Sequence, residues 1–540
     1  MALVLERREV GLYRLVPMEL KQLIQDRLWA VCQAEPRVLS ATLTGSFLTG
    51  SGLEGVSDID FVLIVDRLDR ELFGGLQERF DAALRGPLAE LGWGLRINPT
   101  LGPLKFNDER TAVLHLMLYS REAHVDHAIQ SPFTVLDWQR SPAVRGKAMQ
   151  EVYPVFSLQP RHFFGARRSA KDYLRDLIAG EVSYRELICD DEGYREEKRG
   201  LPMGVRDAHE FGYHIVRFLM QNLVKLVERR NDALASDALL ERYHAAFPRD
   251  ASENASLFRG LERRKRLMDF RDPEPDLISR VARFVTAFED QFREAFDPAR
   301  AGGLESGRGA TRHILMRHAP TPMNAGELRF VGRSDPDLLP DQGGLLQEAA
   351  RAVLALGPFA RAVASPLGRA RQTLEGVLKL VSPGVPLETD ERLIEIDYGA
   401  CEGLTVGEAR SRFPDLFRAF ERGEDARFPG EGGEGSTGAG KTGTGKAGAG
   451  ENSAMVAARA MSFVRECLGS ASAGPTLVCT HNVVLRTVIG ELLGVPRERW
   501  HLLTIPHAAP LCVLRTRFGC FLDLDPALEK QIFARFVAKG

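Results

Sequence analysis

The spacing of apolar and polar positions changes twice along the chain. Up to about residue 135, short apolar runs of the kind that form strands alternate with segments of helical period. The strand-like runs are Val38–Leu43, Asp58–Val65 and Thr111–Tyr119, and the longest helical segment is Arg70–Leu91. This alternation predicts an α/β domain over residues 1–135.

Helical periodicity dominates from about residue 136 to 300. Apolar side chains there recur at helical spacing, as at Ile215, Phe218, Leu219 and Leu223. Leu277–Phe292 repeats the pattern, so we predict a helical domain over 136–300. The polar, glycine-rich run 301–310 is typical of a linker. Domains joined by such a linker are expected to be energetically separable unless they share an interface.

Strand and helix patterns alternate again after residue 310. The predicted strands are His313–Met316, Arg361–Ser365 and 476–479, and the predicted helices are Leu345–Leu356, Arg369–Leu380 and Val483–Leu493. Such an alternation predicts a doubly wound α/β domain over 311–540. The chain as a whole is therefore expected to have an α/β multidomain fold.

Composition and net charge limit the cellular compartment and the classes of binding partner that we predict. The 540 residues are 44% hydrophobic and 27% charged with a net charge of −2, which is ordinary for a globular protein. This balance predicts neither a nucleic-acid partner nor a membrane partner. The seven cysteines are dispersed without a CxxC pair, and no signal peptide or membrane-spanning run is recognised, so we predict a cytoplasmic location. Oligomeric state is not predicted from the sequence.

A tract of glycine and small polar residues, 430–450, interrupts the last domain. Within it, Gly435–Thr442 matches the GxxxxGK[ST] pattern of phosphate-binding loops letter for letter. Such a loop needs a buried strand before it and a helix after it, because these fix its backbone N–H groups toward a phosphate. Neither pattern flanks this stretch, so we interpret the tract as a low-complexity surface insertion.

Polar residues suited to phosphate follow the predicted strands of the last domain. Arg317, His318 and Asn324 follow the first strand, Arg369 follows the second, Glu395 lies in a glycine-bounded turn, and His481 follows strand 476–479. The carboxyl ends of strands are where open α/β sheets bind their ligands. Arginine also matches the geometry of phosphate oxygens better than lysine does. The sequence therefore indicates a phosphate site at this sheet edge.

These residues lie in motifs that resemble those of the histidine phosphatase superfamily, the phosphoglycerate-mutase-like branch. RHAPTPMN resembles the family pattern RHGxTxxN, SPLGRARQT resembles SxLxRAxQT, LIEIDYGACEG resembles LxExxxGxxEG, and CTHN resembles SHG. The resemblance covers residues 311 to about 525. It implies a phosphohistidine mechanism that uses no metal or other cofactor.

The resemblance also implies a role for each matched residue. His318 is the nucleophile, Glu395 protonates the leaving group and then activates water, and His481 is a catalytic residue that helps to hold the phosphoryl group. The remaining phosphate-binding residues are Arg317, Asn324 and Arg369. Ala319 and Pro320 stand where mutases usually have Gly-Glu. This departure favours phosphatase over mutase activity.

The first domain carries a second candidate site. Asp58 and Asp60 begin a predicted strand two residues apart, so their side chains lie on one face. Paired carboxylates suit Mg²⁺ that carries nucleotide phosphates, and we predict them as its ligands. Gly45 and Ser46 follow the preceding strand and offer backbone amides and a hydroxyl, so we predict that they bind the nucleotide.

The segment GSFLTGSGLEGVSDIDFVLIV resembles the DNA-polymerase-β-like nucleotidyltransferase superfamily, whose mark is Gly-Ser, a short helix and Asp-x-Asp on a strand. The resemblance implies metal-dependent nucleotidyl transfer. A third carboxylate on a later strand is expected but not found, because Leu95–Asn98 offers Arg96 and Asn98, and Thr111–Tyr119 offers His115. His115 is either a metal ligand or a buried core histidine.

Together these patterns predict a bifunctional enzyme that combines nucleotidyl transfer with phosphomonoester hydrolysis, acting on small phosphorylated metabolites. Its expected partners are an NTP and a small-molecule phosphate substrate. Two alternatives to this prediction stay open for the N-terminal domain. The first is an inactive nucleotide sensor that regulates the phosphatase, and the second is an enzyme that nucleotidylates a protein.

Overall fold

The structure, a computed structural model, describes residues 17–48, 58–101, 110–267, 269–298, 309–325, 327–430, 450–470 and 474–538. Most of the predicted linker 301–310 and the phosphate-loop-like Gly435–Thr442 lie outside the described residues. The interpretation of both segments therefore stays a prediction. Within the described ranges, no helix is both long and apolar enough to cross a membrane.

The first unit is a mixed sheet flanked by helices. Its strands are β1 (Val38–Thr44), β2 (Ile59–Val65), β3 (Gly94–Asn98), β5 (Thr111–Ser120) and β6 (Val144–Gly146), and the short β4 (Thr100–Leu101) lies outside this sheet. Its helices are α1 (Pro17–Gln33), α2 (Arg70–Glu90), α3 (Arg121–Gln130), α4 (Pro132–Trp138) and α5 (Met149–Val152). The predicted strands and the long helix are confirmed. The strand order is β3-β5-β2-β1-β6, so β6 extends this sheet beyond residue 135.

Local sequence explains where these elements begin. β2 and β5 are buried along most of their length, as expected for central strands. Asp69 caps α2 by accepting a hydrogen bond from the Leu72 amide at 2.8 Å. Ser120 caps α3 in the same way through the Ala123 amide at 3.1 Å. α3 therefore starts directly after β5, and the last residue of β5 is its cap.

The middle stretch contains a β-hairpin as well as helices, which corrects the prediction that it is wholly helical. β7 (Glu181–Asp190) and β8 (Gly193–Pro202) pair antiparallel, and β4 adds a third strand. The helices are α6 (Pro160–Ala179), α7 (Val205–Glu228), α8 (Ser236–Ala246), α9 (Ala251–Leu267) and α10 (Leu277–Phe296). Charged pairs such as Arg185–Glu196 cross the hairpin. The hairpin therefore lacks the apolar alternation by which strands are recognised.

The last unit is a six-stranded sheet with the order β11-β10-β12-β9-β13-β14. Its strands are β9 (Thr311–Arg317), β10 (Arg361–Ala364), β11 (Leu387–Thr389), β12 (Thr476–Thr480), β13 (Leu511–Thr516) and β14 (Gly519–Leu522). Its helices are α11 (Pro322–Ala325), α12 (Gly343–Leu354), α13 (Gly368–Val381), α14 (Val406–Arg412), α15 (Pro414–Glu421), α16 (Ser453–Phe463), α17 (Asn482–Leu493), α18 (Pro526–Ile532) and α19 (Ala534–Ala538).

This sheet is buried on both faces, as predicted for a doubly wound domain. Ile314 and Met316 pack into one apolar cluster, whereas Leu315 between them packs into another. β9, β10, β11 and β12 run parallel, so their carboxyl ends meet at one edge. That edge is where the predicted phosphate-binding residues emerge.

The last unit packs directly against the first two. The apolar cluster that contains Leu315 also contains Val62 and Val125 of the first unit. Polar groups join the last unit to the middle stretch, because Gln159 Nε2 and Arg161 Nη2 at the start of α6 both contact Glu529 Oε2, at 2.6 and 2.5 Å. The units therefore share an interface, and the condition for energetically separable domains is not met.

Candidate active sites

Three parallel strands bring the predicted catalytic residues of the last unit together. His318 follows β9, Ser365 follows β10, and His481 follows β12, and these strands are hydrogen-bonded neighbours. His481 Nε2 lies 2.7 Å from Ser365 Oγ. The ring centroids of His318 and His481 are 5.2 Å apart. Strand ends alone thus assemble both histidines at one edge of the sheet.

The environment of His318 is compatible with its predicted role as a nucleophile. Its Nδ1 lies 2.7 Å from the carbonyl oxygen of Ala319. Because a carbonyl only accepts, Nδ1 carries the proton and Nε2 keeps its lone pair. Burial, reinforced by the positive charges of Arg369 and Arg317, lowers the pKa of His318 well below its ordinary value. The imidazole is therefore neutral and able to attack at neutral pH.

Two arginines whose charges act on this histidine, the half-buried Arg317 and the buried Arg369, keep unused donors. Arg317 donates from Nη1 to the Ile505 carbonyl at 3.0 Å, and Arg369 donates from Nη2 to the Gly332 carbonyl at 2.9 Å. Burial lowers the pKa of Arg317 to about 10, which leaves the guanidinium charged. The Nε atoms of both arginines are buried and have no hydrogen-bond partner among the described residues. Phosphate oxygens are suitable acceptors for such donors.

Glu395 is held at the first turn of α17. Its carboxylate accepts hydrogen bonds from the amides of Ile396 at 3.0 Å and Val483 at 3.2 Å. It is buried, and its negative charge acts to raise the pKa of Arg317. These contacts fix the carboxylate beside the phosphate-binding groups, as expected of an acid and base.

Asn324 and His481 fit the predicted roles in different ways. Asn324 Oδ1 accepts the Thr321 amide at 2.8 Å, so the side-chain amide nitrogen is its remaining donor end. Its described hydrogen bonds lie within the turn after His318. His481 is fully buried, and burial together with the charge of Arg369 lowers its pKa well below the ordinary value. Its Nδ1 is buried without a partner in the described structure.

Three residues that support this site were missed in the sequence. Arg459 on α16 donates to the carbonyls of Ile394 and Glu395 at 2.5 and 3.2 Å. His507 Nδ1 lies 2.6 Å from the His318 carbonyl, and its ring centroid is 5.6 Å from that of His318. Glu451 binds Arg459 Nε at 3.0 Å. All three act through tertiary contacts, and no local pattern distinguishes Arg459 or His507.

The predicted metal site of the first unit is also assembled by strand pairing. β2 and β5 are parallel, and their register sets Asp60 opposite His115. One possible ligand atom from each of Asp58, Asp60 and His115 lies within 4.8 Å of the others. Within the described ranges, this is the one group of three such residues close enough to hold a metal.

Gly45 is required beside this cluster. Its φ is +75°, and a Cβ added there would lie 2.3 Å from Asp60 Oδ2. Only glycine permits both the backbone conformation and the close approach. The turn Gly45–Leu48, which contains the half-buried Ser46, therefore begins against Asp60. Gly45, predicted to bind a nucleotide, thus lies beside Asp60, predicted to bind its metal.

His115 is both buried and part of the cluster. Its Nε2 contacts the carbonyl oxygen of Thr100, and its Nδ1 lies 3.2 Å from Asp60 Oδ1. Burial alone would lower its pKa, but the hydrogen bond with Asp60 and the charges of Asp60 and Asp58 together raise it. The two interpretations of His115 from the sequence are therefore compatible with one another.

The fold and the two histidines at its strand ends define a phosphoryl-transfer enzyme. The profile of the histidine phosphatase superfamily (branch 1) matches residues 313–522, and that of the nucleotidyltransferase domain matches residues 26–111. The chain belongs to the histidine phosphatase superfamily and joins that domain to a nucleotidyltransferase domain.

Curated relatives resemble parts of the chain. The bifunctional protein Rv2228c of Mycobacterium tuberculosis is 34% identical over 25% of this chain and 38% of its own length. A 2,3-bisphosphoglycerate-dependent phosphoglycerate mutase of Bradyrhizobium diazoefficiens is 33% identical over 33% of this chain and 78% of its own length. The glucosyl-3-phosphoglycerate phosphatase of Mycolicibacterium vanbaalenii is 29% identical over 36% of this chain and 78% of its own length. The chain thus spans 38% of the length of the first curated relatives it matches.

Solved structures also resemble part of the chain. The mycobacterial glucosyl-3-phosphoglycerate phosphatase Rv2419c shares 23% identity over 40% of this chain and 98% of its own, with a TM-score of 0.29.

Proposed function

We propose that the chain is a bifunctional enzyme that hydrolyses phosphomonoesters at His318 and transfers nucleotidyl groups at Asp58 and Asp60. The observation that carries the first activity is the neutral His318, with its Nε2 lone pair, beside buried arginine donors. The seven cysteines are free, which suits a reducing compartment, so we place the enzyme in the cytoplasm.

Hydrolysis proceeds in two displacements at phosphorus. In the first, Nε2 of His318 forms a bond to phosphorus while the ester P–O bond breaks, and protonated Glu395 gives its proton to the leaving oxygen. In the second, Glu395 takes a proton from water, whose oxygen forms a bond to phosphorus while the P–Nε2 bond breaks, which releases inorganic phosphate and regenerates His318. The phosphoryl oxygens are bound throughout by Arg317, Asn324, Arg369 and His481.

The proposed substrates are small phosphorylated metabolites, and the proposed reaction is hydrolysis. Ala319 and Pro320 lack the carboxylate that mutases usually carry at this turn. The arginines supply the positive charge that phosphoryl transfer requires, so the proposal includes no cofactor for this half.

The N-terminal proposal uses the Asp58, Asp60 and Gly45-Ser46 arrangement. The two carboxylates would hold a divalent cation, predicted as Mg²⁺ from the sequence, and the turn would bind the phosphates of an NTP through its amides and hydroxyl. When bound, the cation neutralises triphosphate charge. The steric requirement for glycine at residue 45 supports this arrangement, because it keeps the turn against Asp60.

The first test replaces the nucleophile. We expect His318→Ala to lower hydrolysis of p-nitrophenyl phosphate by roughly 10³-fold or more, because no other group forms the covalent intermediate. Alkaline quenching of the wild type should leave acid-labile phosphate on the peptide that contains residue 318, and EDTA should not reduce turnover. The control His501→Ala removes an exposed histidine of the same domain and should retain activity. Undiminished turnover in His318→Ala would contradict the assignment.

The second test replaces a metal-binding carboxylate. We expect Asp60→Asn to abolish release of pyrophosphate from NTP and acceptor while hydrolysis at His318 is unchanged. Asp66→Asn is the control, because Asp66 lies at the other end of β2 in an exposed ion pair with Arg121. NTP-dependent phosphatase rates without pyrophosphate release would instead indicate a nucleotide sensor. Mass spectrometry of the acceptors distinguishes a nucleotidylated metabolite from a nucleotidylated protein.

A further inference from the structure

His115 lies beside Asp60, on the strand where a third carboxylate was expected. We infer that His115 is the third ligand of the N-terminal cation site, and that this site takes a first-row transition-metal dication such as Mn²⁺ in preference to Mg²⁺. The inference rests on the proposed nucleotidyl-transfer site and specifies its metal.

Strand register makes this arrangement a property of the sheet. Asp60 of β2 and His115 of β5 are paired across parallel strands, and both strands are central in the order β3-β5-β2-β1-β6. Asp60 is also confined from the other side by Gly45, where no side chain fits. The donor atoms of Asp58, Asp60 and His115 are consequently held within 4.8 Å of one another without rearrangement of the backbone.

The hydrogen bonds of His115 aim a nitrogen lone pair at this cluster. Its Nε2 contacts the Thr100 carbonyl, which only accepts, so Nε2 carries the proton in the neutral ring. Nδ1 then presents its lone pair to Asp60 Oδ1 at 3.2 Å. Two acceptors at this distance repel unless a metal cation, or a proton on Nδ1, lies between them. Histidines that bind metals commonly donate their other N–H to a backbone carbonyl, as this one does.

The ligand set determines which cation is preferred. Mg²⁺ favours oxygen ligands and dehydrates reluctantly, whereas imidazole nitrogen suits the transition-metal dications. Two carboxylates and one imidazole therefore favour Mn²⁺, Co²⁺ or Zn²⁺ over Mg²⁺. A proton on Nδ1 satisfies the same pair of acceptors, so the decisive measurement is binding of the metal itself.

In the experiment, metals are first removed from the full chain with a chelator. The chain is then titrated with Mn²⁺ alone, and free Mn²⁺ is measured by its EPR signal. We expect one bound Mn²⁺ per chain that Mg²⁺ displaces only at about 100-fold or greater excess. His115→Asn should weaken Mn²⁺ binding by about 10-fold or more. His115→Asp should restore an all-oxygen site and shift the preference toward Mg²⁺. Asp66→Asn should bind as the wild type does, and phosphatase turnover and thermal unfolding report whether each variant is folded.

The outcomes separate this inference from the proposed function. Equal Mn²⁺ affinity in the wild type and His115→Asn, or no bound Mn²⁺, overturns the inference. If Asp60→Asn loses Mn²⁺ and His115→Asn does not, the carboxylate site stands and His115 is not a ligand. If all three residues are needed for Mn²⁺ but no acceptor yields pyrophosphate, the inference stands and nucleotidyl transfer fails.

Discussion

At the residue scale, the guanidinium of Arg369 is held by the loop 332–334. Arg369 donates to the carbonyls of Gly332 at 2.9 Å and Ser334 at 2.5 Å. The amides of the same two residues donate to the carboxylate of Glu402, at 2.8 and 3.1 Å. Glu402 therefore fixes the loop that fixes Arg369. Glu402 thus acts on Arg369, the predicted phosphate-binding residue, through this loop, and within the described residues it makes no hydrogen bond to His318.

Glu402→Gln tests this positioning role. The amide loses the charge that strengthens its hydrogen bonds to the loop. Because small displacements of a substrate-binding group lower rates steeply, we expect kcat/KM for hydrolysis to fall by about 10-fold. Inhibition by orthovanadate should weaken in parallel, while thermal unfolding changes little.

The control for that variant is Glu408→Gln. Glu408 accepts the Thr405 amide at 2.7 Å as part of the cap of α14 and does not bind the loop 332–334. Kinetics of Glu408→Gln should match the wild type. Equal kcat/KM and vanadate inhibition in Glu402→Gln and the wild type would show that the loop does not depend on this carboxylate.

At the element scale, the two ends of the glycine tract meet. The Gly450 amide donates to the Phe428 carbonyl at 3.1 Å, and the Phe428 amide donates to the Glu451 carbonyl at 3.2 Å. Phe428 also packs against Tyr398, with ring centroids 4.8 Å apart. The chain therefore leaves and re-enters the domain at one fixed point, whatever lies between.

Deleting residues 432–449 tests the interpretation of the tract as an insertion. We expect folding and phosphatase turnover to stay within a few-fold of the wild type, because shortening a loop whose ends already meet changes its closure entropy only slightly. Lys441→Ala should leave ATP binding unchanged. A large loss of ATP affinity in that variant, measured by calorimetry, would restore the phosphate-loop interpretation.

At the scale of the whole molecule, a buried polar network joins the last unit to the middle one. The Arg161 side chain binds Glu529 at 2.5 Å, and its amide donates to Asp523 Oδ1 at 2.6 Å. Burial raises the pKa of Asp523 to about 6 and also raises that of Glu529. Both carboxylates are therefore stabilised by hydrogen bonds from the other side of the interface, and these hydrogen bonds come mainly from the start of α6.

Arg161→Gln tests how much this network contributes. Removing the cation leaves the buried Glu529 carboxylate without its charged partner, whereas the backbone amide that binds Asp523 is retained. We therefore expect a loss on the order of 3 kcal/mol in the free energy of unfolding. Lys530→Gln is the control, because Lys530 also pairs with a residue of another unit, Asp126 of α3 in the first unit, at 2.8 Å but in an exposed position. Its cost should be below about 1 kcal/mol. Both variants are unfolded in urea, with phosphatase activity as the signal. Equal unfolding midpoints for the two variants would rule out a special role for Arg161.

The sequence by itself determined the elements and the residues at their ends. Apolar periodicity and turn residues act within a short window, so β9, β12 and α13 were predictable, and with them the placement of His318, His481 and Arg369. The Asp-x-Asp pair on β2 was predictable for the same reason, because side chains alternate along a strand. The β7–β8 hairpin was missed because its charged, exposed strands do not carry the apolar signal.

Tertiary structure decided what each site contains beyond those motifs. The pairing of Asp60 with His115 depends on the register of two strands that are far apart in sequence. The support of Arg369 by Glu402 depends on how a loop folds back on the sheet. The interface around Arg161 likewise depends on the packing of separate units. Such contacts are set by the free energy of the whole packed chain, and a local window of sequence does not contain that information.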